Sequence, residues 1–93
     1  MKILLIIPAY NEEENIKKTI EKIENFSDEI DYIVINDGST DSTEQILIEN
    51  KIKHIKLIHN LGIGGAVQTG YKYAYENNYD IAIQFDGDGQ HDV

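Results

Sequence analysis

Ile3-Leu4-Leu5-Ile6-Ile7-Pro8-Ala9-Tyr10-Asn11-Glu12-Glu13-Glu14 is the stretch on which the fold turns. Its apolar half runs unbroken from Ile3 to Ile7. A strand with one wet face alternates, so an unbroken run marks a strand buried on both faces. Pro8 lacks an N–H for a sheet ladder and is expected to stop that strand. Asn11, with Glu14 three residues on, reads as a helix N-cap and capping box. The three glutamates suit the positive end of a helix dipole. Ile16, Ile20 and Ile23 then recur at helical spacing, with Phe26 one turn further.

The same alternation continues outward. Tyr32 to Ile35 is a second strand-like run, ending at Asn36-Asp37-Gly38. Ser39, Thr40 and Asp41 offer N-caps for a second helix carrying Ile46 and Leu47. Ile55 to Ile58 reads as a third strand. Asn60 to Gly65 reads as a glycine-rich loop, followed by a third helix. Ala66, Gly70 and Ala74 make a row of small side chains there, which lets a helix approach a sheet closely. Ile81 to Phe85 is a fourth strand, ending at Asp86-Gly87-Asp88-Gly89. The order βαβαβαβ predicts a single α/β domain over residues 1–93. It is a Rossmann-like parallel sheet with helices on both faces and right-handed crossovers. Ligands of such sheets bind outside the carboxyl ends of the strands, where strand order reverses. The polar clusters Pro8 to Glu12, Asn36 to Asp41, Asn60 to Gly65 and Asp86 to His91 all fall at those ends.

Composition narrows the function. Lysine supplies all 8 positive charges against 17 acidic residues, for a net charge of −9. That balance argues against a nucleic-acid partner and against a polybasic membrane contact. With no cysteine, disulfides, thiolate zinc sites and a cysteine nucleophile are excluded. The longest apolar run, Ile3 to Ala9, is too short to span a bilayer. It has no small-residue cleavage site after it, so a cytoplasmic start is expected.

Asp86 and Asp88 form an Asp-x-Asp pair just past a strand. In extended backbone, residues two apart point to one side, so both carboxylates can converge on one cation. Hard oxygen ligands favour Mg²⁺ or Mn²⁺, and Gln90 can add a carbonyl oxygen. An EF-hand fails, because its sixth position needs glycine and is His91 here. Asp37 is placed to accept hydrogen bonds from a nucleobase or ribose. Pro8, Ala9, Tyr10 and Glu12 frame a base-binding slot, with Tyr10 as an apolar wall and Glu12 as an acceptor. A strand stop and a helix cap would account for Pro8 and Asn11 without any ligand. The glycine cluster matches neither a Walker A loop nor a dinucleotide fingerprint and reads as close helix packing. No lysine lies in the four clusters, so a bound diphosphate would need a divalent ion and helix N-termini to offset its charge. His54 and His59 are assigned no role, and Tyr71, Tyr73, Tyr75 and Tyr79 read as packing residues.

Together the four clusters resemble the start of a family 2 glycosyltransferase with the GT-A fold. The Gln90-His91 pair is most similar to the branch of dolichol- and polyprenyl-phosphate sugar synthases. The resemblance implies a UDP- or GDP-linked sugar donor and a polyprenyl phosphate as a candidate acceptor. It implies Pro8, Ala9, Tyr10 and Glu12 around the base and ribose, and Asp37 at the base. It implies Asp86 near ribose, metal and phosphates, Asp88 as principal metal ligand, and Gln90 as a further ligand. Asn36 stands where many members have aspartate, and Val93 where many have proline. Members are much longer, with acceptor site and catalytic base in their second half. The chain is therefore expected to be a truncated donor-binding half, inactive alone, from relatives that associate with membranes. An open sheet edge leads to the expectation of self-association. The alternative is a stand-alone nucleotide-binding or assembly module without catalysis. A phospho-acceptor signalling domain is disfavoured, because Pro8-Ala9 replaces the acidic pair expected after the first strand.

Overall fold

The apolar run beginning at Ile3 forms β1 (Ile3–Ala9), the centre of a parallel sheet. α1 (Ile16–Glu24), β2 (Ile30–Asp37), α2 (Thr43–Glu49), β3 (His54–Leu57), α3 (Gly62–Glu76) and β4 (Ile81–Gln84) follow in turn. The computed structural model describes residues 1–26 and 29–85. Asp86, Asp88 and Gln90, the expected metal ligands, lie outside the described residues.

Strand order is β3-β2-β1-β4. Ile3 pairs with Ile30 on one side and with Ile81 on the other. Two apolar layers explain why β1 shows no alternation. Ile7 pokes to one face and packs with Ile16, Ile20 and Ile23 of α1 and Leu47 of α2. Leu4 and Ile6 point to the other, against Ala66 and Ala74 of α3. β2 repeats the pattern, with Val34 in the first layer and Ile33 and Ile35 in the second. The steps β1 to β2 to β3 run one way, and the step to β4 runs back across β1. Opposite steps need helices on opposite faces if every crossover keeps one hand, as seen here. The reversal lies between β1 and β4, beside the carboxyl end of β1.

Several local expectations are corrected. Pro8 does not stop β1, which continues to Ala9. The Ile6 carbonyl accepts from Phe85 N–H at 2.8 Å, so even-numbered β1 groups face β4. Pro8 faces the same way, beyond the last β1–β4 pair at Ile6 and Gln84, while its other side stays in register with Ile35. Its missing donor therefore interrupts no pairing among the described residues. Asn11 is not a helix cap. α1 starts at Ile16, and Asn11 takes a left-handed φ of 53° with its side chain turned to the loop after β2. The glycine cluster is not a loop, because Gly62 to Gly65 form the first turn of α3. Among the tyrosines, Tyr73 and Tyr79 stack at 6.4 Å, but Tyr71 and Tyr75 are exposed.

The small row does what its spacing suggests. Ala66, Gly70 and Ala74 are the buried residues of α3. A Cβ at Gly70 would lie 2.3 Å from Ile6 Cγ2, and Ile6 is fully buried in the central strand. Alanine is the better helix former by about 1 kcal/mol, but overpacking costs about 1–3 kcal/mol. Gly70→Ala is therefore expected to destabilise the fold by up to about 2 kcal/mol. Urea unfolding reads this directly, and a raised midpoint would show that α3 can retreat from β1.

Candidate nucleotide cleft at the carboxyl ends of the strands

β1 ends in Ala9, and the chain then turns out through Tyr10 and Glu12. Together with Pro8 these residues form one wall of a cleft of about 310 Å³. Asp37, the last residue of β2, forms its floor. Asn60, Gly62 and Ile63, at the start of α3, close the far side. The structure thus brings together Pro8, Ala9, Tyr10, Glu12 and Asp37, which are far apart in sequence. Tyr10 is half exposed, giving the cleft an apolar wall near its mouth. Asn60 and Ile63 were not anticipated as lining residues. The signal was present in the Asn60-Leu61-Gly62 cluster, but reading it as a packing loop turned it away from the site.

Asp37 is only 3% exposed, and its neighbours hold it in place. Its Oδ1 accepts from Leu61 N–H at 2.7 Å. Its Oδ2 and its main-chain oxygen both accept from Asn60 Nδ2, at 3.1 and 3.0 Å. A buried carboxylate needs such partners. The bonds dock the start of α3 onto the end of β2 and aim the positive end of a 15-residue helix at the cleft. Asn36, beside it, is buried at 1% exposure and faces the opposite layer. Its Nδ2 donates to Glu44 Oε1 at 2.7 Å, and its Oδ1 accepts from the Ser39 hydroxyl. An asparagine can serve donor and acceptor at once, which a second aspartate could not.

His54 also has a place that sequence reasoning missed. Its Nε2 meets Glu44 Oε2 at 3.0 Å, and its Nδ1 meets the Ile52 carbonyl at 2.8 Å. Burial pushes the Glu44 carboxyl up, but bonds from Asn36 and His54, with the charges of His54 and Lys56, outweigh it and hold it below its ordinary value. Burial also pushes Asp41 up, and bonds from the Thr43 hydroxyl and from the N–H groups of Thr43 and Glu13 bring it below its ordinary value. Both groups titrate lower in the fold than in the unfolded chain. They therefore stabilise the fold above the ordinary carboxylate range, and that contribution is lost as pH falls through the folded values. The urea midpoint is expected to fall as pH is lowered through and below the ordinary carboxylate range, less steeply in Glu44→Gln. An equal slope in that variant would mean that Glu44 adds nothing.

Among the described residues no cluster of histidine, aspartate and glutamate is arranged to hold a metal. No helix there is long and apolar enough to cross a membrane.

Comparison with known proteins gives a consistent set of likenesses. The family model for Glycosyl transferase family 2 matches residues 4–93. The chain is 42% identical over 106 aligned positions to a UDP-N-acetylglucosamine–dolichyl-phosphate N-acetylglucosaminyltransferase of Methanococcus voltae. That match covers 96% of this chain and 42% of the relative. It is 33% identical to an undecaprenyl-phosphate mannosyltransferase of Micrococcus luteus, covering 98% of this chain and 40% of that protein. Among solved structures, S. aureus TarS in complex with UDP aligns with a TM-score of 0.78 and 28% identity. It covers 95% of this chain and 28% of that chain, which is TarS 1–349. The chain thus spans less than half the length of the relatives it matches.

Proposed function

Since this chain belongs to glycosyl transferase family 2, we propose that its cleft binds the nucleoside diphosphate part of a nucleotide-sugar donor. The observation that carries this reading is the convergence of Tyr10, Glu12 and Asp37 with the start of α3 on one cleft. Tyr10 offers an apolar wall to a base, Glu12 and Asp37 offer acceptors to base N–H or ribose hydroxyl groups, and the N-terminus of α3 favours the diphosphate. A UDP complex of a solved relative with this fold supports UDP, and GDP is the other candidate. Transfer of the sugar to a polyprenyl phosphate is the corresponding proposal for the reaction, supported by relatives named for dolichyl and undecaprenyl phosphate. Such an acceptor supports a cytoplasmic protein working at a membrane surface. Asp86, Asp88 and Gln90 follow Phe85 in sequence, and their oxygen donors fit Mg²⁺ or Mn²⁺. An ion held there would act as a Lewis acid, stabilising the departing nucleoside diphosphate. The outer side of β4, unpaired among the described residues and with Ile81 and Ile83 exposed, supports self-association. Light scattering over a wide concentration range tests that, and a constant monomer mass rules it out.

The test is an amide NMR titration of the full chain with UDP and with GDP, each with and without Mg²⁺. Shifts confined to residues 9–12, 37–39 and 60–63, strengthened by the metal, are expected. The absence of shifts with either nucleotide would favour the reading of a folded assembly module.

A further inference from the structure

The wall of the cleft is held by an exchange of hydrogen bonds from backbone N–H groups between the segment after β1 and the segment that runs from the loop after β2 into the first residue of α2. The N–H groups of Asn11, Glu12 and Glu13 donate to Ser39 Oγ, Thr43 Oγ1 and Asp41 Oδ2, at 3.0, 2.9 and 3.3 Å. In return the N–H groups of Thr40 and Asp41 donate to Asn11 Oδ1, at 2.8 and 3.3 Å, and that of Ser42 to Glu13 Oε1 at 2.8 Å. Neither segment could satisfy these donors alone, because each supplies the acceptors for the other. Asn11, Glu13 and Asp41 each work in both directions, and Asn11 alone of the three does so from a left-handed φ, of 53°. Two backbone donors converge on its side-chain oxygen, which fixes the orientation of the amide. Its two neighbours in sequence, Tyr10 and Glu12, both line the cleft, whereas Asn11 does not.

We propose that Asn11 is a positioning residue for the nucleotide cleft, acting by locking the segment from Tyr10 to Glu13 onto the loop after β2. Asparagine suits the task because it tolerates left-handed backbone and carries a short acceptor. The proposal rests on the reading of the cleft as a nucleotide site.

Two substitutions separate positioning from mere stability. Asn11→Gly keeps the left-handed backbone without strain and removes only the acceptor. Asn11→Asp keeps the acceptor. Affinity for UDP and GDP is measured by NMR titration of the full chain, with urea unfolding and amide exchange alongside. Asn11→Gly is expected to unfold cooperatively, to weaken nucleotide binding about tenfold or more, and to speed amide exchange at Thr40 and Asp41. Asn11→Asp is expected to stay within about threefold of wild type. Wild-type affinity in Asn11→Gly, or equal loss in both variants, overturns the proposal. Should Asn11→Gly not fold, Ser39→Ala removes the acceptor of the Asn11 N–H. It should weaken binding about threefold or more, and unchanged affinity there overturns the proposal. If wild type binds neither nucleotide, the nucleotide reading fails by itself. The lock is then judged on the amide shifts of Tyr10 and Glu12 in Asn11→Gly. Movement that Asn11→Asp restores supports it, and unmoved shifts overturn it.

Discussion

Gly38→Ala is expected to destabilise the fold by about 3–4 kcal/mol, a large share of the roughly 5–15 kcal/mol that holds a domain together. Two effects act at one atom. Gly38 has a φ of +69°, where a Cβ is strained. That Cβ would also lie 2.6 Å from Asn60 N and 2.8 Å from the His59 carbonyl carbon. Both are backbone atoms, so no rotamer change relieves the contact, and the segment before α3 has to move. Asn60 and Leu61 are the partners of Asp37, so the same displacement opens the cleft floor. Comparison with other glycines separates strain from clash. Gly62 has a φ of +84° with nothing within 4 Å of the added Cβ, so Gly62→Ala carries strain alone, about 1–2 kcal/mol. Gly64 has neither burden and lies in α3, so Gly64→Ala should be neutral or stabilising. Urea midpoints should rank Gly38→Ala lowest by a wide margin. A cost equal to that of Gly62→Ala would mean that the loop before α3 is free to yield.

The ordering of elements was legible because both faces of the sheet are buried. Leu4, Ile6 and Ile7 are all fully buried, so β1 had to be an unbroken apolar run. The row Ala66, Gly70 and Ala74 was equally plain, since a close approach admits only small side chains. What misled was residue chemistry that serves two purposes. Asn11 and Asp41 are good helix caps in isolation, yet Asn11 spends its oxygen on another loop, and the cap of α2 is Ser42 rather than Ser39, Thr40 or Asp41, with Asp41, one residue before it, accepting from Thr43 N–H at 2.9 Å. Local sequence cannot tell a side chain that caps its own helix from one that reaches across the fold, because both need the same short acceptor. The glycine cluster misled similarly. Glycine permits a loop, but Gly62 to Gly65 are held in a helical turn by the docking of Leu61 on Asp37. The grouping of Pro8, Ala9, Tyr10, Glu12 and Asp37 followed from topology, since parallel strands deliver their carboxyl ends to one edge. The contribution of Asn60 depends on that docking, a tertiary contact to which the Asn60-Leu61-Gly62 cluster points only by its place at a strand end.

Asp37→Ala should combine the second-largest loss of stability with the largest loss of nucleotide binding. The carboxylate accepts from Leu61 N–H and Asn60 Nδ2 while almost wholly buried. Alanine leaves the Leu61 donor unsatisfied and Asn60 with the Asp37 main-chain oxygen alone. A hydrogen bond to a charged group is worth about 1.5–3 kcal/mol, and with both lost bonds only partly buried a total of about 2–4 kcal/mol is expected. Asp37→Asn is the informative companion. Its side-chain oxygen can still accept from Leu61 N–H, but its amide would face the Asn60 amide, donor against donor. Its stability should lie between wild type and alanine. Binding separates two roles of the carboxylate. If Asp37 only docks α3, nucleotide affinity will follow stability, and Asp37→Asn will bind better than Asp37→Ala. If Asp37 also accepts a hydrogen bond from the base, as the proposed function requires, both variants should lose about thirtyfold or more. UDP and GDP titrations of folded variants, with fractions folded fixed by urea curves, decide between them. Near-wild-type binding in Asp37→Asn would remove Asp37 from the base contact and leave it as the anchor of α3.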